Sequence, residues 1–246
     1  MWQLAITSGA TLVAAVFECR ERGFVASWVA DPVRRRRNAA YLLSNFAVVA
    51  LLSGITAWMG RHLAPAFHWS GPVWVDVAGC VLVAEFLNWV FHWAKHRHRW
   101  LWTFHLQHHV ETRYDISLTL HTHPLEVILS GTLMVGTLRL LGFSGVALEV
   151  FSTLYFVSNL YKHGAWRVGL GPLDWILVGP ALHRLHHARE LDGNFGSVLT
   201  VYDVLFGTAR WPDAQAWTVQ TGTRGGEPFG FIPEFLAFLR TGRSGS

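Results

Sequence analysis

The chain has 246 residues, of which 51% are hydrophobic and only 15% charged, and its formal net charge is +4. With 13 Trp, 16 Phe and a mean hydropathy of +0.28 this is a membrane-protein composition, which excludes intrinsic disorder and a coiled coil. The basic residues are dispersed among apolar runs, so a nucleic-acid partner is excluded, and two cysteines, Cys19 and Cys80, do not make a disulfide scaffold or a cysteine zinc site.

In chain order, residues 2–17 are a first, short apolar helix without the charged start of a signal peptide, read as retained. Residues 40–59 form the clearest span, twenty residues without a charge, or about 30 Å of helix. Residues 72–91 are the third, although Asp76, Glu85 and Asn88 lie within them and must face protein rather than lipid. Residues 126–141 and 146–161, joined by Gly-Phe-Ser-Gly, read as a hairpin of two helices of about 24 Å each, which either span a thinned bilayer or stop part-way. Beyond Arg210, Gly225-Gly226 and the apolar residues 229–239 read as a loop and a short interfacial helix. The expected architecture is an all-α integral-membrane helical bundle in one domain over residues 1–246. Only Arg61 and Arg139 among twenty basic residues fall opposite the rest, which predicts a multi-pass chain with a cytoplasmic C-terminus and makes the run 34–37 a topology anchor.

Nine of the fourteen histidines follow a pattern on the side predicted to be cytoplasmic: His92-x-x-x-His96, His105-x-x-His108-His109, His163, and His183-x-x-His186-His187. Residues three and four apart share a helix face, so each box aims two or three imidazoles at one point. That geometry is a metal site, and four such groups supply too many nitrogens for one tetrahedral zinc, so two ions are expected. Imidazole suits iron and zinc alike, and the spacing alone does not choose between them. Nine histidines are too many for the axial ligands of a haem, and no HExxH string of a zinc protease occurs.

These boxes, with the Leu-Glu after His123-Pro124, the Gly171-Pro-Leu-Asp-Trp segment, Asn194-Phe-Gly and Asp203-Val-Leu-Phe-Gly-Thr, resemble the fatty acid hydroxylase and sterol desaturase superfamily over residues 81–208. The resemblance implies a membrane-embedded helical bundle with a cytoplasmic-side helical cap carrying the histidine boxes. It further implies a non-haem centre of two iron ions, with zinc an alternative occupant in isolated protein, and O2 as co-substrate. All nine patterned histidines become ligands, His163 because it stands where similar proteins place an isolated ligand before Gly-Pro-Leu. Asn159, one turn before His163, is similar in position to a water-mediated ligand; Glu85 is placed to hold the imidazole N–H of a ligand; His123 is a near-site candidate. His121 replaces a basic residue of the family pattern and is not counted a ligand, His98 is assigned to a solvated face, and His62 and His68 lie on the far side of the membrane.

An unactivated C–H bond is not broken by side-chain acid or base, so the implied reaction is O2-dependent hydroxylation of an aliphatic membrane lipid. The alternatives are desaturation at the same site and a membrane zinc-dependent hydrolase. No haem, flavin or iron–sulfur motif is present, so a separate electron-donor protein is expected.

Overall fold

The computed structural model describes residues 2–21, 24–67, 70–189 and 191–223. His68 and the interfacial helix expected over residues 229–239 lie outside them. Among the described residues the regular elements are helical: α1 (Trp2–Arg20), α2 (Phe24–Ala30), α3 (Pro32–His62), α4 (Val73–Arg97), α5 (Arg99–His109), α6 (Pro124–Leu140), α7 (Gly145–Lys162), α8 (Pro180–His186) and α9 (Val201–Leu205), with short 3₁₀ turns at Ile116–Leu120, Gly171–Trp175 and Ala214–Trp217.

Three helices, α1, α3 and α4, are long and apolar enough to cross a membrane; α6 and α7 are not among them. Both α3 and α4 outrun their expected spans. Asp31 caps α3 by accepting the amide of Arg34 at 2.9 Å, with Pro32 preset for the first turn, so the helix starts eight residues before the apolar run. At the same end of the bundle, α4 continues six residues past the apolar run and carries His92 and His96 with it.

Cys80 and Ala84 of α4, Met134 and Leu138 of α6, and Ala147 and Phe151 of α7 form the main buried core. Helix α1 packs on α7 and α3 on α6. Glycines permit the second contact: a Cβ on Gly131 would stand 3.0 Å from Leu52 Cδ1, and one on Gly136 3.3 Å from Met59 Cε. Leu4, Leu43 and Phe46 point outward, as lipid-facing side chains do. Asp76 and Glu85 are buried against protein, as their cost in lipid requires.

The arginine run, expected to be a topology anchor, packs into the protein. Arg34 and Arg37 are buried and pair with Asp115 and Glu111, and only Arg36 of the four is exposed. Glu18 of α1 accepts the amides of Ile116 and Ala165 at 3.1 and 2.7 Å. The first helices thereby grip the segment after α5, while α5 packs on α4 and α6, α8 on α7, and α9 on α4.

Candidate metal centre

The nine patterned histidines come together in two buried groups: His92, His96, His105, His109 and His186, and His108, His163, His183 and His187. Within each, one ligand atom per residue lies within 4.8 Å of all the others. Helical spacing explains the division. His105 and His109 are a turn apart and enter the first group, whereas His108 turns to the second; His183 and His187 enter the second, and His186 turns to the first. Each HxxHH box thus serves both groups, which abut through the stacked rings of His109 and His187, 4.5 Å between centroids.

Hydrogen bonds fix the tautomers. The Nδ1 atoms of His92, His186 and His163 donate to the carbonyls of Phe195, Gly193 and Asn159, each at 2.8 Å, and that of His108 to the carbonyl of His121 at 3.2 Å. His105 Nδ1 donates to Glu126 Oε1 at 3.1 Å. With the proton on Nδ1, each Nε2 presents a bare lone pair. Yet His92 and His105 Nε2 are 3.1 Å apart, and His108 and His163 Nε2 3.3 Å apart. His183 Nε2 stands 2.9 Å from His163 Nε2, and His186 Nε2 3.1 Å from His109 Nε2. In the His92–His105 and His108–His163 pairs every Nδ1 carries the proton, so the facing Nε2 lone pairs repel at this range unless a cation lies between them. Imidazole nitrogens at about 2.1 Å from an ion are separated by about 3.0 Å in an octahedron and about 3.4 Å in a tetrahedron. The observed separations match the edges of such polyhedra, so both groups fit a metal ion.

Burial holds His105, His108, His109, His163, His183 and His187 below the ordinary histidine pKa, with neighbouring imidazoles adding to it for most of them, and it pushes His186 down to about 3. Neutral imidazole is the ligating form.

The carbonyl anchors are themselves built by the family-like motifs. Asp203 accepts the amides of Phe195 and Gly196 at 2.8 and 2.7 Å, the Trp89 indole at 3.1 Å and the Thr208 hydroxyl at 2.6 Å. Asn194, in the left-handed region at φ 57°, donates to the carbonyls of Leu182 and Arg210 and accepts the Arg210 amide.

The supporting residues sit differently from the sequence expectation. Glu85 does not reach a ligand imidazole: Oε2 accepts the amides of Val198 and Leu199 at 2.7 and 2.9 Å, and Phe195 supplies the acceptor for His92. A carboxylate two turns before His92 is drawn instead to unpaired backbone N–H groups of the loop packed beside it. The Asn159 side chain donates to the Tyr155 carbonyl at 2.8 Å, and the backbone oxygen of Asn159 is what holds His163. His123 belongs to neither group; it caps α6, accepting the Leu125 amide at 3.0 Å. His121 stacks on Tyr41 and bonds Asn38 at 2.6 Å, while His98 and His62 are exposed. Glu126 escaped the sequence reading, although a carboxylate opening an otherwise apolar stretch carried the same signal of intramembrane cost that singled out Glu85.

A groove of about 540 Å³ opens onto the first group, with His96, His109 and His186 in its lining and Arg97, Arg99, Arg189 and Asp192 beside them.

The sequence profile of the fatty acid hydroxylase family matches residues 77–208. Ornithine lipid hydroxylase OlsE of Rhizobium tropici is 32% identical over 262 residues, covering 99% of this chain and 77% of that protein. Human alkylglycerol monooxygenase is 29% identical over 174 residues, and methylsterol monooxygenase 1 of Danio rerio is 28% identical over 175. These alignments cover 66% and 68% of this chain but 36% and 60% of the relatives, so the chain spans about a third of the first and three fifths of the second. No solved structure matches. With the family profile over more than half the chain and a relative aligned along nearly all of it, the chain belongs to the fatty acid hydroxylase family.

Proposed function

We propose that the chain is an O2-dependent hydroxylase of a membrane lipid, working through two iron ions held by His92, His96, His105, His109 and His186 on one side and His108, His163, His183 and His187 on the other. The observation that carries this reading is the pair of abutting groups of buried, neutral imidazoles with bare Nε2 atoms turned on one another. Reduced iron supplies the means to activate O2 for attack on a C–H bond, which no side chain here offers. One oxygen atom enters the C–H bond and the other leaves as water, with two electrons and two protons arriving through a separate donor protein.

The chain's own part is to hold and screen. Backbone carbonyls and Glu126 keep five of the imidazoles protonated on Nδ1, and burial screens the four-histidine group from bulk water. The groove over His96, His109 and His186 admits the substrate. Its polar lining of both charge signs suits the region of a lipid next to its head group, and the relative named for ornithine lipid supports a polar lipid as substrate. In this reading the chain is multi-pass, with the histidines on the cytoplasmic side.

Lipid mass spectrometry on cells expressing the wild type or His186→Ala under 18O2 tests the reading. A lipid carrying one 18O only with the wild type is expected. Loss of two hydrogens without label would instead make the chain a desaturase, and a lipid cleaved equally well without oxygen would make it a hydrolase.

A further inference from the structure

The two histidine groups are not backed alike. In the first, His105 Nδ1 meets a carboxylate, and the same oxygen, Glu126 Oε1, receives the Lys95 ammonium at 2.6 Å. Glu126 is 7% exposed. Its other oxygen has no hydrogen-bond partner, so its charge is directed onto these two neighbours. In the second group, His108 and His163 donate to backbone carbonyls, and the Nδ1 atoms of His183 and His187 have no hydrogen-bond partner. A charge of opposite sign lies on that side. Lys162, directly before His163, is buried with its ammonium on the Ser197 carbonyl.

We propose that Glu126 and Lys95 are opposed positioning residues that make the two metal positions unequal. The Glu126 carboxylate strengthens His105 as a donor, so the five-histidine group holds its ion more tightly and favours its higher oxidation state, and the Lys95 ammonium tempers that effect. This rests on the reading that the nine histidines hold two ions. An anionic acceptor behind an imidazole raises its basicity more than a carbonyl does, and losing such a partner costs about 10–100-fold in metal affinity. A cation on the same oxygen withdraws part of that charge. Removal of Lys95 and neutralisation of Glu126 therefore act in opposite directions, which a simple structural clamp would not do.

The test is a cobalt(II) competition titration of the purified, detergent-solubilised full chain, with the iron-loaded protein followed in a parallel redox titration. The wild type should take up two equivalents with distinct affinities; uptake of none would sink the nine-histidine reading itself. Glu126→Gln should weaken the tighter equivalent by about 10–100-fold, leave the other unchanged and raise the midpoint of one iron. Glu126→Asp should restore part of the loss. Lys95→Met should hold the tighter equivalent at least as strongly as wild type and lower that midpoint. The double variant, which leaves neither charge unpaired and so guards against misfolding of Glu126→Gln, should follow Glu126→Gln. Equal weakening of both equivalents by Glu126→Gln, or a loss in Lys95→Met as large as that in Glu126→Gln, would overturn the proposal.

Discussion

An imidazole that folds into a dry site gives up its proton on the way in, and the cost depends on pH. Burial holds six of the ligand-set histidines outside the spans below their ordinary value and His186 at about 3, whereas in the unfolded chain each returns to about 6.5. Between those values the unfolded chain binds protons that the folded chain refuses, so stability is fully present above about pH 6.5 and is lost as pH falls toward the folded values. Each such histidine contributes up to about 1.4 kcal/mol per pH unit in that window. The metal-free protein should therefore show a melting temperature that is flat from pH 8 to 7 and falls steeply from pH 6.5 to 5. A flat profile throughout would mean that the imidazoles titrate as though solvated. A bound ion takes the place of the missing proton as the partner of each Nε2, so the metal-loaded protein should melt at a higher temperature than the metal-free form at each pH in this range while falling with it toward acid.

Among the elements, the decisive one is irregular. The loop from Gly193 to Thr200 turns two carbonyls toward His92 and His186 because Asp203, on the short helix α9 that follows, gathers four donors beneath it. Asp203→Asn keeps the shape but places an NH2 where a carboxylate oxygen received an N–H. In its better orientation the amide still accepts from Phe195, Trp89 and Thr208 and faces only the Gly196 amide as donor to donor, costing about 1–3 kcal/mol. The expected result is a comparable drop in stability together with loss of metal from the five-histidine group, measured by denaturation and metal content; an unchanged metal content would show that the loop does not orient the ligands. Sequence reading reached the ligand boxes because i, i+3 and i, i+4 spacing is a local property of a helix. It could not assign His108 and His186 to opposite groups, since that depends on how α5 and α8 face each other. It misplaced Glu85 for the same reason: its partners, the amides of Val198 and Leu199, lie more than a hundred residues away. The carbonyl anchors were likewise hidden, because backbone acceptors leave no trace in side-chain identity.

At the scale of the molecule, the membrane helices and the histidine site form one mechanical unit. Arg34, Arg37 and Asn38 project from one face of α3 into the segment after α5, pairing with Asp115, Glu111 and His121, and the carbonyl of that same His121 receives His108 Nδ1. Asn45, two turns on, donates to the Leu120 carbonyl at 2.8 Å. Helix α3, long and apolar enough to cross a membrane, thus fixes an imidazole of the four-histidine group at one end. Buried ion pairs of this kind contribute little net stability, but removing one partner strands a charge. Arg37→Met takes from Glu111 the closer of its two guanidinium partners and leaves Arg34 Nε at 3.6 Å, so it should destabilise the fold by about 3–5 kcal/mol. Arg37→Met combined with Glu111→Leu removes both charges and should recover most of that loss. If α3 supports the site through this contact, Arg37→Met should also weaken metal retention in the four-histidine group before the other, and the double variant should restore it. Stability and stepwise metal release measured on both variants separate the possibilities: a double variant as unstable as the single would mean that the guanidinium matters for its shape, while metal loss spread evenly over both groups would mean that α3 steadies the fold as a whole rather than this ligand.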